Sequence, residues 1–512
     1  MKQYINLLII MLLAGFISCS DDFLTNSTTE QQAAGEPATE GAILSNLAAT
    51  YQILLFDSYA DNNYNSLVLM SDLRSDDIFK GGGDAGDQHQ LYLLSLFTTT
   101  PQENINGLWN IFYSGLARAN NVISACENAV GFDTEADIKK LNQYKAEAHF
   151  LRAYYTHWLW KFWGNVPYFE EPLTEPPYMT RQYTADEVYA EIMEDIDVAT
   201  TEGYLPMKTV GINAGRINRA AALMLKARVV LYQKDSGRYG EVTADMAEII
   251  AAGDYSLMPD FAEIWVDAGE FNQESIFEAN HLPEGKTWAS GWQGYGTNLP
   301  AFISPNGLNT GNETGNFKGG WGFGPVRQST WDIYEEGDTR REGSINNWEP
   351  GQYTARFQDT GLFMAKYAAR VGYNPQGDVD LNYCNNLRIY RYAETLLTYA
   401  EMIVIHGQSE VQGITAQSAL DQVRQRAFGA ESSIPVTAAN IKLERRREFV
   451  GEGMRFWDIV RWGDTALLTE NLTEFNSVRT WNDNFKYLPI PQSEIDKTAG
   501  TEFALEQNPG YN

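Results

Sequence analysis

Apolar residues recur at helical spacing over two long parts of the chain. In 108–250 they fall three or four residues apart, which is the period of an amphipathic helix. In 386–407 the same spacing returns, and a further helical segment, 416–427, follows after a short loop. The pattern therefore predicts several helix hairpins. The apolar stripes are formed by Ile111, Phe112, Gly115, Ala119, Val122 and Ile123, by Ala220, Leu223, Met224, Ala227, Val230 and Leu231, and by Ile389, Ala393, Leu396, Ala400, Ile403 and Val404.

One of these helices has a clear predicted end. Its aromatic run from Phe150 to Phe162 is followed by Gly164 and Pro167. Glycine can adopt the left-handed cap conformation, and proline cannot continue a helix. We predict a mainly α fold in which tetratricopeptide-like helix hairpins form a scaffold, although the chain shows no clean repeat period.

The segment 281–326 has a different composition. It holds eleven glycines in 46 residues, against 43 in the 512 residues of the whole chain. Such a segment is not expected to be helical, and loops rarely hold many large rings because they lack the packing to do so. We predict a loop-rich insertion over about 255–385. Its aromatic residues include Trp288, Trp292, Tyr295, Phe302, Phe317, Trp321 and Phe323, and a smaller cluster at 51–64 contains Tyr59, Asn62, Asn63 and Tyr64.

The chain starts with a short apolar run, 5–17, behind Lys2 and before Ser18 and Cys19. This order is typical of a secretory lipoprotein signal that is cut before the cysteine, which then carries the lipid. A membrane-spanning helix needs about 20 apolar residues, so a transmembrane anchor is the weaker alternative. We expect a signal peptide at 1–18 and one mature domain, 19–512, tethered to a membrane outside the cytoplasm.

Charge and residue usage narrow the choice of partners. The net charge is −29, so nucleic acid would be repelled within a Debye length of about 8–10 Å and neutral ligands are favoured. The histidines and cysteines show no zinc-type spacing, and we assign no metal ligands and no cofactor. If Cys19 carries lipid, Cys126 and Cys384 either pair in an oxidising compartment or stay as separate buried thiols.

Six stretches carry a family resemblance, and they are 109–122 (WNIFYSGLARANNV), 151–167 (LRAYYTHWLWKFWGNVP), 391–400 (RYAETLLTYA), 419–427 (ALDQVRQRA), 444–462 (ERRREFVGEGMRFWDIVRW) and 488–511 (LPIPQSEI to QNPGY). In this order, behind a lipoprotein signal, they resemble the SusD/RagB family of starch-utilisation-system D-like outer-membrane lipoproteins. The resemblance implies a helical body with tetratricopeptide-like hairpins, a loop-rich ligand face and capture of oligosaccharides at the cell surface. It also implies a SusC-like TonB-dependent transporter as partner.

The charged residues of 444–462 look structural. Carboxylates and arginines alternate every three residues from Glu452 to Arg461, so on a helix each carboxylate is predicted to neighbour an arginine. Such pairing lowers a carboxylate pKa, whereas a glycosidase acid needs a raised pKa. We interpret the three arginines at 445–447, which glutamates flank, as a solvated helix face.

No sequence context favours catalysis. A glycoside hydrolase needs two carboxylates about 5–10 Å apart, and neither acidic pair, 76–77 or 170–171, has a context that raises one pKa above the other. No nucleophile elbow, zinc motif or phosphate-binding loop is present. We expect no enzyme. A surface glycoside hydrolase, recognisable by glycan turnover, and a peptide-binding helical-repeat scaffold, recognisable by affinity for peptides alone, are the alternatives.

The aromatic residues of the insertion suit a neutral sugar. An aromatic plane removes the apolar face of a sugar ring from water, while polar groups bond the hydroxyls. For any single ring, core packing is an equal alternative, but the cluster as a whole favours a ligand. Trp321, with a glycine on each side, is the first candidate. The other candidates are Trp288, Trp292, Tyr295, Phe323, Tyr64, Tyr59 and Asn62.

The apolar run before Cys19 leads to a test of the anchor. Replacement of Cys19 by alanine is expected to block lipid attachment, because the thiol is the acceptor of the lipid. Fractionation of membranes should then find the variant outside the outer-membrane fraction, and protease shaving of intact cells should reach only the wild type. A variant that stays firmly membrane-bound, or a wild type without lipid, contradicts the prediction.

Overall fold

The computed structural model describes residues 35–60, 63–64, 66–289, 291–308, 316–375, 378–475 and 477–511. Within these ranges the protein has sixteen α-helices and ten strands of two to five residues, so the predicted mainly α fold is confirmed. The helices are α1 (Glu40–Tyr51), α2 (Leu67–Leu73), α3 (His89–Leu96), α4 (Asn106–Glu127), α5 (Glu135–Trp163), α6 (Ala185–Ala199), α7 (Arg219–Gln233), α8 (Tyr239–Ala252), α9 (Leu299–Ile303), α10 (Gln328–Trp331), α11 (Arg340–Ser344), α12 (Tyr392–Val404), α13 (Ala416–Phe428), α14 (Ala438–Phe449), α15 (Arg455–Trp462) and α16 (Gln492–Thr498).

The long helices pack as sequential neighbours. α4 packs along α5, α5 along α6, α7 along α8 and α12 along α13, and α8 also contacts α12. α5 begins at a capping box in which the Asp137 amide donates to the Thr134 hydroxyl, and it ends at Gly164 with φ +70°. Because glycine tolerates a positive φ that other residues adopt only with strain, the sequence ends the helix where it was predicted to end.

The strands form short antiparallel pairs, of which one matters most for the site. β5 (Ser275–Ala279) pairs with β8 (Leu387–Arg391) and joins the two ends of the region 280–386, whose described residues form only short helices and strands. Residues 387–391 are therefore a strand, although their spacing suggested the start of a helix. The other strands are β1 (Tyr59–Ala60) with β2 (Asn63–Tyr64), β3 (Val166–Pro167) with β4 (Gln182–Tyr183), β6 (Ile345–Asn347) with β7 (Leu362–Met364), and β9 (Glu470–Leu472) with β10 (Ser477–Arg479).

The main core is one cluster of buried apolar side chains with members from Ala38 to Leu505. Every residue of α5 from Ala146 onward is buried. Its Trp158 and Phe162 lie 5.9 and 5.1 Å from the ring of Trp457 in α15. Since a large ring removes roughly 150–250 Å² from water when buried, these contacts are a major source of cohesion, and Trp457 is a core residue.

Two sequence expectations concern the cysteines and the anchor. Cys126 and Cys384 are both free thiols, which decides between the two alternatives. Burial raises the pKa of each to about 12, so both stay protonated. None of the described helices is at once long and apolar enough to span a bilayer. Cys19 lies outside the described ranges.

A buried group of ion pairs ties β5 and β8 to α14. Arg391, the last residue of β8, lies 2.5 Å from Glu274, 3.0 Å from Glu448 and 2.7 Å from Glu452. Burial alone would raise the pKa of Glu448, but Arg426, Arg391 and other cations hold it below its ordinary value. A charge without a partner is costly at this depth, so the group specifies one arrangement of these segments.

The structure corrects the interpretation of the arginines at 445–447. Arg445 and Arg447 are buried and Arg446 is largely so, hence they do not form a solvated face. They bind acidic residues that come from other parts of the chain, which the local sequence did not show. The pairs are Arg445 with Asp458 at 2.7 Å, Arg446 with Asp77 at 2.7 Å and Arg447 with Glu335 at 2.8 Å.

The alternating charges of 452–461 are also paired differently from the prediction. Arg461 binds Asp458 at 2.8 Å, as three-residue spacing on a helix predicts. Glu452, however, precedes α15 and binds Arg391, while Arg455 binds the distant Asp76 at 2.7 Å. The charged residues of this run form ion pairs, as interpreted, but most of their partners are distant in sequence.

The Arg391 group gives a prediction for stability. Arg391→Leu should lower the free energy of unfolding by about 3–5 kcal/mol, because it leaves buried carboxylates without their partner. Chemical denaturation of both proteins measures this. Arg181→Leu is the matched control, since Arg181 and Glu187 pair at 3.1 Å on the surface, where solvent screens an ion pair and leaves it little effect on stability. Equal losses in the two variants contradict the prediction.

Candidate functional site

Three aromatic rings form the base of a surface cluster. Tyr59 and Tyr64 face each other across β1 and β2, and Phe302 comes from α9. The ring centroids are 5.4 Å apart for Tyr59 and Tyr64, and 5.0 Å apart for Tyr64 and Phe302. Tyr59 and Phe302 are buried, whereas Tyr64 is half-buried. Tilted rings at these distances attract each other, so the base is well packed.

Trp288 and Trp321 lie on this base and form what we call the tryptophan pair. Their ring centroids are 6.0 Å apart and their planes differ by 27°. The Tyr64 ring packs at a steep angle against both, with centroids 6.4 and 5.5 Å away, and Phe302 contacts Trp321 at 4.8 Å. Trp288 is 43% exposed and Trp321 is half-buried. The pair thus offers a supported aromatic surface to solvent.

Glycines on both sides of Trp321 allow its backbone to run against α9. The Trp321 amide donates to the Ala301 carbonyl at 2.6 Å. A Cβ at position 320 would lie 2.3 Å from that carbonyl oxygen, which excludes any residue other than Gly320. Gly322 has φ +75°, a value that favours glycine. The glycines that made Trp321 the first candidate are therefore what fixes its position.

Trp288 is held through the backbone around it. Its amide donates to the Asp378 carboxylate at 2.7 Å. The side chain of Asn382 bonds both backbone groups of Lys286, at 3.0 and 2.7 Å. The Lys286 ammonium donates to the Leu55 carbonyl at 2.7 Å, and burial lowers the pKa of Lys286 to about 8. These bonds tie the loop of Trp288 to two distant segments.

Polar groups surround the tryptophan pair. The Trp321 indole donates to the Asp380 carboxylate at 3.3 Å, and Arg356 donates to the Trp321 carbonyl at 2.9 Å. Arg356 also lies 3.9 Å from Asp87. Burial raises the pKa of Tyr64, and the carboxylates of Asp87 and Asp380 raise it further. The Tyr64 hydroxyl is therefore a proton donor over the whole physiological range.

This arrangement suits a neutral molecule with apolar faces and a rim of hydroxyls. The faces of Trp288 and Trp321 can cover apolar C–H surface. An ionised carboxylate has about four acceptor sites, so Asp380 can accept further hydrogen bonds besides that from the indole. Arg356 adds donors, since a guanidinium carries five N–H groups. Aromatic planes beside both donors and acceptors are the groups that a sugar ring requires.

The structure brings together four of the predicted residues: Trp288, Trp321, Tyr59 and Tyr64. The others lie elsewhere. Trp292 faces a separate groove, and Tyr295, 43% exposed, lines an apolar pocket of 520 Å³ beside α1. Phe323 is 2% exposed and packs in the core. Because a buried ring has no free face for a ligand, the prediction of Phe323 as a ligand-binding residue is wrong. Asn62 and Cys19 lie outside the described residues.

Sequence reasoning missed the polar partners of the pair. Asp378 and Asp380 stand two residues apart inside the predicted insertion. Their position among its polar residues is the one sequence signal that pointed to them. Their contacts were not readable, because Asp380 meets Trp321 across 59 positions and Asp378 meets Trp288 across 90. Arg356 was missed for the same reason.

The protein is a scaffold of helix hairpins that presents the tryptophan pair on glycine-rich loops. These features define the class of helical ligand-binding proteins with a site suited to sugars. Two family models match the chain and agree with this class. A model described as the SusD family matches residues 270–511, and one described as "Starch-binding associating with outer membrane" matches residues 25–231. The chain belongs to the SusD/RagB family, as its six motifs predicted.

Solved structures show the same fold at high identity. Surface glycan-binding protein A from Bacteroides fluxus is 63% identical, with 93% of this chain and 100% of that chain covered and a TM-score of 0.89. Surface glycan-binding protein A from Bacteroides thetaiotaomicron, in complex with laminarihexaose, is 38% identical over 92% and 100%, with a TM-score of 0.84. A laminarin-binding SusD-like protein is 31% identical over 93% and 100%, with a TM-score of 0.79.

Proposed function

We propose that this protein binds an oligo- or polysaccharide at the cell surface and delivers it, without cleaving it, to a TonB-dependent outer-membrane transporter of the SusC-like type. The observation that carries the proposal is the tryptophan pair. Trp288 is 43% exposed although rings and backbone hydrogen bonds hold it in place. Exposed apolar surface costs roughly 25 cal/mol per Å² relative to burial, and a bound sugar face would recover part of that free energy.

Laminarin and its oligosaccharides are the ligands that we propose. One similar protein was solved with laminarihexaose and another is described as laminarin-binding. These glycans are neutral, which agrees with the net charge of −29 of this chain. A polyanionic glycan would meet repulsion from Asp87, Asp378 and Asp380 at the site itself.

The absence of catalysis is part of the proposal. A glycosidase places its two carboxylates on opposite sides of the scissile bond. The two carboxylates that contact the tryptophan pair, Asp378 and Asp380, belong to one turn. Similar proteins are described as glycan-binding proteins.

We also propose that residues 19–512 act as one domain anchored through a lipid on Cys19. The outer membrane is the location to which this lipid would tether it. The core cluster that extends from Ala38 to Leu505 supports a single body. A description of related chains as associating with the outer membrane supports the location.

The tryptophan pair gives a prediction for binding. Trp321→Ala and Trp288→Ala should each weaken the affinity for laminarihexaose more than tenfold, because loss of a ring at a binding hot spot costs about 2 kcal/mol or more. Titration calorimetry measures the affinity, and the recovered sugar should be intact after long incubation. Product that appears in proportion to protein contradicts the binding-only proposal.

A contrasting variant keeps this test interpretable. Phe323→Ala removes a core ring and should lower the free energy of unfolding by about 3–5 kcal/mol, while Trp288→Ala should change the melting temperature far less. Unchanged affinity in both tryptophan variants would show that the sugar does not bind at the tryptophan pair.

The transporter gives a separate prediction. A stable contact with a barrel buries on the order of 1,200–2,000 Å² or more, enough to survive mild detergent. Pull-down of the lipid-anchored protein from solubilised membranes, at native expression, should therefore recover a TonB-dependent transporter. Recovery of the protein alone counts against the partner.

A further inference from the structure

A second aromatic groove lies next to the tryptophan pair. It has a volume of 500 Å³, within the range of roughly 300–1,000 Å³ that small-ligand pockets occupy. α4, the loop 168–181, α16 and the loop of Trp292 enclose it. We call it the Trp292 groove. The residues used below are Trp109, Tyr113, Leu173, Tyr178, Trp292 and Lys497.

We infer that the Trp292 groove is a second contact surface for the same glycan chain that occupies the tryptophan pair. The inference rests on the proposed function. It assigns to the groove the sugar units that follow those held by Trp288 and Trp321, so that longer oligosaccharides gain contacts that shorter ones do not reach.

The groove presents aromatic and apolar side chains that can cover the apolar face of a sugar ring. Trp292 and Tyr113 are half-buried, and Tyr178 is 58% exposed. Leu173, at 37% exposure, adds apolar surface. Rings that remain this exposed in a folded protein mark contact sites more often than isolated apolar residues do.

The polar side of the groove is electrically balanced. Lys497 binds Glu494 at 2.7 Å on α16, so the pair brings no net charge to the rim. The Tyr113 hydroxyl donates to the Pro167 carbonyl at 2.8 Å, which fixes its ring against the wall. A balanced rim and fixed rings favour a neutral, hydroxyl-rich chain over a charged ligand.

One short segment contacts both the Trp292 ring of the groove and the Trp288 ring of the tryptophan pair. Phe56 contacts the ring of Trp292 at 5.4 Å, and Tyr59, three residues later, contacts Trp288 at 5.8 Å. Four residues of fully extended chain span at most about 13–14 Å, which limits the distance between the Cα atoms of Trp288 and Trp292. An oligosaccharide of several units is long enough to touch both.

The experiment measures affinity against chain length. Laminaritriose, laminarihexaose and laminarin are titrated into the full-length protein and into two variants of it, Tyr178→Ala and Trp292→Phe. The second variant keeps an aromatic ring against Phe56. We expect the variants to bind the triose as the wild type does, and to bind laminarin and the hexaose about fivefold or more weakly. Ile212→Ala, a fully exposed side chain on the turn 211–213, is the control and should change nothing.

Each other outcome overturns the inference in a distinct way. Equal affinity of the wild type and both groove variants for every length shows that the glycan does not enter the groove. Unchanged glycan affinity with less transporter recovered in the pull-down assigns the groove to a protein partner. A wild type that binds none of the three sugars contradicts the proposed function itself, and the inference with it.

Discussion

The candidate site depends on the pairing of β5 with β8, which the buried Arg391 group closes. The region between these strands is about a hundred residues long, and the part of it that the structure describes has little regular structure. Holding the ends of such a loop together costs roughly 4 kcal/mol of chain entropy, and the hydrogen bonds and complete burial of β5 and β8 offset this. Buried ion pairs often contribute little net stability. In this protein they join the end of β8 to the start of β5 and to α14, because Arg391 meets Glu274, Glu448 and Glu452 at one point.

Backbone contacts, together with the rings beneath, hold the two tryptophans of the candidate site in place. Gly320 lets the chain approach α9 so closely that the Trp321 amide bonds Ala301. Asn382 fixes the loop of Trp288 from the other side through Lys286. A side chain ordered before binding avoids about 0.5–1.5 kcal/mol of entropy loss when the ligand arrives. Glycine-rich loops, which are usually mobile, thus form a preorganised surface in this protein.

Sequence reasoning predicted what depends on local periodicity and on family motifs. The hairpin helices and the end of α5 at Gly164 followed from spacing and composition, and the choice of Trp321 with Trp288 as site residues stays a prediction. Sequence reasoning was wrong where distant residues decide the outcome. The arginines at 445–447 looked solvated because the acidic partners of Arg446 and Arg447 are far away in sequence and the partner of Arg445, Asp458, lies on another helix. Phe323 looked like Trp321 in composition, yet it turns into the core while its neighbour two residues earlier turns out.

The loop 282–296 links these surfaces mechanically. The Leu282 and Tyr295 backbones bond each other and close the loop. Its three rings then point to three places: Trp288 to the tryptophan pair, Trp292 to its groove and Tyr295 to the pocket beside α1. Because one loop carries all three rings, their spacing along the chain is fixed by the sequence of that loop. Under the proposed function, this spacing would decide which length of sugar chain contacts more than one of the rings.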